Sequence, residues 1–187
     1  MRRPLARLVL TVLGLTLAVL SVNPIAGAAT AGPTASGTAS PAGVITNGTY
    51  RLDNVNSGLC LAYNVERRGI NRQEACDGGD YTIPWDVVNT SGNNYEIINV
   101  HNNQCVSIPG GSTADDQASF VEACTGGNYQ IFTLVPSTST IFAGAYQLVN
   151  VNSGKCLAVG GARTDLGALV IQWTCYQSGE FMWRLFN

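Results

Sequence analysis

Six cysteines, one histidine and a pair of neighbouring aspartates are the residues of this sequence whose types and spacing could do chemistry. The cysteines stand at 60, 76, 105, 124, 156 and 175 and could ligate a metal or form disulfides. No two of them make a Cys-x-x-Cys pair, the spacing from which tetrahedral zinc sites are built, and His101 is the only imidazole. No metal site is expected. Asp115 and Asp116 are adjacent in sequence, and adjacent side chains on a loop do not make an acid/base pair across a scissile bond. There is no Gly-x-Ser-x-Gly elbow, no His-Glu-x-x-His and no phosphate loop. The expectation is a protein that is not an enzyme and takes no cofactor.

Composition narrows the partners. The chain has 187 residues, one domain's worth, of which 45% are hydrophobic and only 12% charged, so the bulk of it is expected to fold. Formal net charge is -2. Arg2, Arg3 and Arg7 lie in a segment expected to be removed, which leaves 7 basic residues (10 minus 3) against 12 acidic ones, or -5. A mildly acidic domain without basic runs is a poor partner for nucleic acid or an anionic membrane.

Residues 1–28 read as a secretory signal. The three arginines form a positive n-region and Leu8 to Leu20 is an apolar run of 13 residues, too short to span a bilayer. Ala26-Gly27-Ala28 places small residues where a signal peptidase reads. Residues 29–46 are nearly all Ala, Thr, Gly, Ser and Pro and are expected to act as a flexible linker. The expected folded domain is 47–187, secreted, with no membrane insertion after cleavage and no catalytic domain attached.

The elements that must position any site come from a repeat. Tyr50-Arg51-Leu52-Asp53-Asn54-Val55-Asn56-Ser57-Gly58-Leu59-Cys60-Leu61-Ala62 recurs at most positions in residues 146–158, and more loosely in residues 95–107. The opening tyrosines, Tyr50, Tyr95 and Tyr146, are 45 and 51 residues apart. Each copy ends near an aromatic residue: Trp85, Phe132 and Trp183. Alternating Tyr-x-Leu or Tyr-x-Ile opens a strand, and Asn-Ser-Gly or Asn-Asn supplies a tight turn. Gly-rich loops and further short strands follow, and no segment sustains a helical period. Twelve short strands over about 138 residues are expected, an all-β pattern of three repeats. The repeat also selects one cysteine pairing out of 15: Cys60 with Cys76, Cys105 with Cys124, and Cys156 with Cys175.

Three such copies resemble the ricin-type β-trefoil lectins, the family 13 carbohydrate-binding modules. The resemblance is carried by Asn150-Val151-Asn152-Ser153-Gly154-Lys155-Cys156-Leu157, by Pro109-Gly110-Gly111-Ser112-Thr113-Ala114-Asp115 and by Gln172-Trp173-Thr174-Cys175. It implies a β-trefoil, a six-stranded barrel capped by three hairpins with approximate threefold symmetry. It also implies one sugar site per copy. In the family, an aspartate two residues after the first cysteine accepts hydrogen bonds from sugar hydroxyls. An aromatic two residues before the second cysteine stacks on the sugar, and an Asn-Gln pair before the last core aromatic adds polar contacts. A sugar ring has a C–H-rich face and a rim of hydroxyls, so a flat apolar platform with a few fixed polar groups suits it.

This sequence departs from that pattern in every copy. The aspartate positions hold Ala62, Ser107 and Ala158; the platform positions hold Glu74, Glu122 and Trp173. The polar pair is Thr82-Ile83, Tyr129-Gln130 and Glu180-Phe181. The candidate carbohydrate-binding residues are therefore Trp173 as platform, Glu180 as replacement acceptor and Asp165 on the loop expected to rim the same site, with Glu122 and Gln130 as an unusual second site. Tyr63 is expected to pack in its hairpin and His101 to lie exposed in a turn. The expected partner is a polysaccharide or glycan and the expected state is a monomer. The alternative is a trefoil that has lost sugar binding and serves as a protein-interaction or protease-inhibitor scaffold.

Overall fold

Strands in this chain are short because turn residues interrupt them every few positions. The computed structural model describes residues 44–64, 69–77 and 83–187. The expected signal segment and residues 29–43 of the expected linker lie outside the described residues. Among those described, all regular structure is strand or single turns of 3-10 helix, and no helix is long and apolar enough to cross a membrane. The described residues fall within one compact unit, Thr38–Asn187.

Repeat one contains β1 (Gly48–Asn54), β2 (Cys60–Asn64), β3 (Ile70–Glu74) and β4 (Trp85–Ser91). Repeat two contains β5 (Asn94–Asn99), β6 (Gln104–Ser107), β7 (Gln117–Ala118), β8 (Phe120–Ala123) and β9 (Ile131–Pro136). Repeat three contains β10 (Tyr146–Asn150), β11 (Cys156–Val159), β12 (Val170–Trp173) and β13 (Trp183–Phe186). The sequence pattern predicts twelve strands, and the described residues hold thirteen. The extra one arises at Ser119, which separates β7 from β8. It is buried, and both its backbone N–H and its hydroxyl donate to Val170 O, each at 2.9 Å.

Antiparallel pairing closes a ring. β1 pairs with β4, β4 with β5, β5 with β9, β9 with β10, β10 with β13, and β13 returns to β1. That is a six-stranded barrel. The remaining strands form three hairpins, β2–β3, β6–β8 and β11–β12. The hairpins touch one another through Ile70–Phe120, Ile171–Ala118 and Arg72–Leu169, which caps one end of the barrel. This is the β-trefoil.

The core follows the repeat. Trp85, Phe132 and Trp183 are fully buried among Leu52, Ile97 and Leu148. A buried indole needs a partner for its N–H. Trp85 Nε1 donates to Leu61 O at 2.9 Å and Trp183 Nε1 to Leu157 O at 3.0 Å, so each links a barrel strand to its own hairpin. Tyr63 is also buried in this core, and His101 is exposed.

The recurring Asn-x-Asn-Ser-Gly does more than turn the chain. Gly58 and Gly154 hold φ of +69° and +68°, the left-handed geometry that favours glycine. The first asparagine of each motif is fully buried and braces the end of a neighbouring repeat. Asn54 Nδ2 donates to Glu180 O at 2.9 Å, and Asn150 Nδ2 to Tyr129 O at 3.1 Å. Cys60–Cys76, Cys105–Cys124 and Cys156–Cys175 are disulfides, one per repeat.

Candidate functional site: a cleft in the third repeat

The β11–β12 hairpin places Trp173 directly opposite Cys156, and Ala158 opposite Ile171. Trp173 closes β12 two residues before the disulfide at Cys175. Unlike the two core tryptophans it is 36% exposed, and its indole N–H bonds to no described residue.

Trp173 forms one wall of a cleft of about 290 Å³. Tyr176 and Phe181 form another, packed edge to face with ring centres 5.7 Å apart and planes at 65°. The floor is apolar: Ala158, Val159 and Ile171. Glu180 lies at the rim on the 3-10 turn Gly179–Phe181 and accepts a hydrogen bond from Ser178 Oγ at 2.9 Å. The Asn54 bond to Glu180 O fixes the backbone of that turn from repeat one.

The opposite rim belongs to repeat two. Asp116 lines the cleft in a left-handed conformation, φ +63°, and its backbone N–H donates to Gln172 O at 3.1 Å. The loop that carries it is bracketed by the buried Gln172 side chain. Gln172 Nε2 donates to Ser112 O and Ala114 O, both at 2.8 Å, while Ser153 Oγ donates to Gln172 Oε1 at 2.8 Å. Asp115, the next residue back, accepts the Thr174 N–H and the Lys155 Nζ, each at 2.7 Å. The Lys155 bond first, then the Thr174 N–H and hydroxyl, hold the Asp115 carboxyl below its ordinary value.

The structure brings Trp173 and Glu180 into one cleft and leaves the other three candidates elsewhere. Asp165 is ion-paired with Arg163, which lowers its carboxyl pKa. Gln73 of repeat one holds its loop by donating to Arg163 O at 3.1 Å and Asp165 O at 2.9 Å. That loop therefore faces repeat one, as the Asp116 loop faces repeat three. Glu122 accepts Ser107 Oγ at 2.6 Å. Gln130 is fully buried; its amide receives the Thr125 N–H at 2.7 Å and donates to Ala123 O at 2.8 Å.

The pattern reading missed Asp116, Tyr176 and Phe181 as cleft walls. Asp116 lies in another repeat, so a copy-by-copy comparison assigns it to the wrong site. Tyr176 had a weak signal: it is the aromatic that directly follows the last cysteine, where the other copies have Asp77 and Thr125. Among the described residues, one grouping has metal-ligating atom types, Asp53 with Cys60 and Cys76. Both sulfurs belong to a disulfide and offer no thiolate.

The family model for ricin-type beta-trefoil lectin domain-like proteins matches residues 41–120, 81–143 and 128–187. The chain belongs to this family. Its fold is that of a carbohydrate-binding module. Similar solved structures include ThreeFoil, a designed threefold-symmetric protein. It is 27% identical, with a TM-score of 0.69 over 74% of this chain and 98% of that one. An exo-beta-1,3-galactanase from Clostridium thermocellum is 24% identical, with a TM-score of 0.66 over 73% of this chain and 29% of the galactanase. A Polyporus squamosus lectin, bound to the epitope Neu5Aca2-6Galb1-4GlcNAc, is 13% identical, with a TM-score of 0.66 over 76% of this chain and 50% of the lectin. The last two similarities concern the fold alone. No curated protein matches the chain.

Proposed function

We propose that this ricin-type trefoil is a secreted, non-catalytic carbohydrate-binding module that holds sugar in the cleft of its third repeat. The observation that carries the reading is Trp173. It is the one tryptophan of three whose ring lies at the surface and whose N–H bonds to no described residue. An aromatic face exposed above an apolar floor, with carboxylates at the rim, matches the two-sided chemistry of a sugar ring. Glu180 accepts hydroxyl hydrogen bonds where the family aspartate is replaced by Ala158.

Export through residues 1–28 fits the three disulfides, which persist in oxidising compartments. A single small cleft gives weak binding, on the order of millimolar or about -4 kcal/mol, suited to adhesion at a repetitive polysaccharide surface. The test is binding to a glycan array and to insoluble polysaccharides, with Trp173→Ala beside the parent. Binding that disappears in the variant supports the reading. Binding that persists moves the site to repeat one or two. No binding by folded, fully oxidised protein favours a scaffold for a protein partner instead.

A further inference from the structure

The cleft carries more negative charge than a neutral sugar needs. Asp116 and Glu180 both line it, and no basic side chain does. The basic residues adjacent to it in sequence are engaged with other carboxylates. Arg163, next to the lining residue Ala162, pairs with Asp165. Lys155, the residue before β11, bonds Asp115 and Thr174. Glu180 has one bond from Ser178. The Asp116 carboxylate has no hydrogen bond or ion pair with any described residue, although its backbone is tied to Gln172. Two carboxylates without a counter-cation thus line the same cleft as Trp173 and Tyr176, and aromatic rings attract positive charge through their quadrupoles.

We infer that the cleft selects a cationic saccharide, a hexosamine unit with a free, protonated amine, and that Asp116 of repeat two is the specificity-determining residue. The inference deepens the proposed carbohydrate reading and rests on it. The sugar stacks its C–H face on Trp173, and its ammonium lies towards Asp116 and Glu180, where charge-assisted hydrogen bonds form. The repeat's own aspartate position cannot supply this contact, because Ala158 is buried and has no polar atom in its side chain. Uronic, sialylated and sulfated sugars meet like charge and are rejected.

The test is calorimetric titration of the purified protein with a glucosamine tetrasaccharide and with its fully N-acetylated counterpart. The variants are Asp116→Asn, Glu180→Gln, Trp173→Ala and Glu96→Gln, the last removing an acid from barrel strand β5 outside the cleft. Asparagine tolerates the left-handed backbone at 116, so that variant keeps the fold, and equal unfolding midpoints verify it. The expected result is a preference of about tenfold or more for the free amine. That preference is lost in Asp116→Asn and weakened in Glu180→Gln. All binding is lost in Trp173→Ala, and Glu96→Gln leaves it unchanged. Equal or tighter binding of the acetylated sugar, still abolished by Trp173→Ala, overturns the inference but leaves the carbohydrate reading intact. A preference reduced as much by Glu96→Gln as by Asp116→Asn overturns it too, because net charge then explains the attraction. Failure of both tetrasaccharides to bind overturns the inference, and the glycan array then decides the carbohydrate reading.

Discussion

The Asp115 carboxylate accepts the backbone N–H of Thr174 at 2.7 Å. Each partner is the chain neighbour of a cleft residue, Asp116 on one side and Trp173 on the other. The bond therefore ties the rim contributed by repeat two to the Trp173 wall contributed by repeat three.

This latch has a defined pH response. A carboxyl whose pKa is depressed in the fold contributes above its unfolded-state value, and the contribution is lost as pH falls through the lower folded value. The Asp115 carboxyl is lowered by Lys155 first and by Thr174, so the latch is complete at neutral pH. It releases only below the ordinary aspartate range, about 3.9. Hydrogen exchange at the Thr174 amide should stay protected down to that range. Asp115→Ala should speed this exchange at neutral pH, where the parent latch is formed, with little change in global unfolding, and the difference should vanish once the parent latch has been released by acid. Unchanged exchange in the variant would show that the latch does not hold the strand end.

The tryptophans should separate stability from binding. Trp183→Ala empties a fully buried core site and should cost about 3–5 kcal/mol in urea unfolding. Trp173→Ala removes a surface ring and should change stability by less than about 1 kcal/mol while abolishing sugar binding. Comparable destabilisation by both substitutions would mean that Trp173 serves the core.

The trefoil was legible in the sequence because its symmetry is written as a repeat. Trp85, Phe132 and Trp183 mark equivalent barrel strands, and the paired cysteines mark equivalent hairpins. The strand count differed by one because Ser119 reads as an ordinary strand residue. Its burial and its bonds to Val170 are tertiary facts. The cleft was legible at Trp173 and Glu180, which lie in the repeat that forms most of its lining. It was hidden at Asp116, whose relation to Trp173 depends on Gln172 reaching across the repeat boundary. The same cross-repeat bracket, made by Gln73, carries Asp165 towards repeat one. At Gln130 an amide that reads as a surface donor is fully buried and bonded to the Thr125 and Ala123 backbone.

Those two glutamines offer a matched comparison. Gln172→Leu and Gln73→Leu each leave two carbonyls without their side-chain donor, and each should cost about 1–3 kcal/mol or more. Gln172→Leu should also weaken sugar binding, because the Asp116 loop loses its bracket. Gln73→Leu should weaken binding less, because the carbonyls it frees, Arg163 O and Asp165 O, lie beyond the lining residues Gly161 and Ala162 and not on the Asp116 rim. Equal loss of affinity in both would show that the Asp116 rim has no special part in binding.

Binding at the third repeat is tested most directly by following the three indole N–H signals by NMR during titration with a glucosamine oligosaccharide. Two of these protons are buried and bonded to Leu61 O and Leu157 O, while Trp173 is exposed and its N–H bonds to no described residue. The Trp173 signal should shift progressively to saturation, with the two core signals fixed, and the shift should vanish in the Trp173→Ala protein along with that resonance. A saturable shift elsewhere, with the Trp173 signal unmoved, would contradict a third-repeat site.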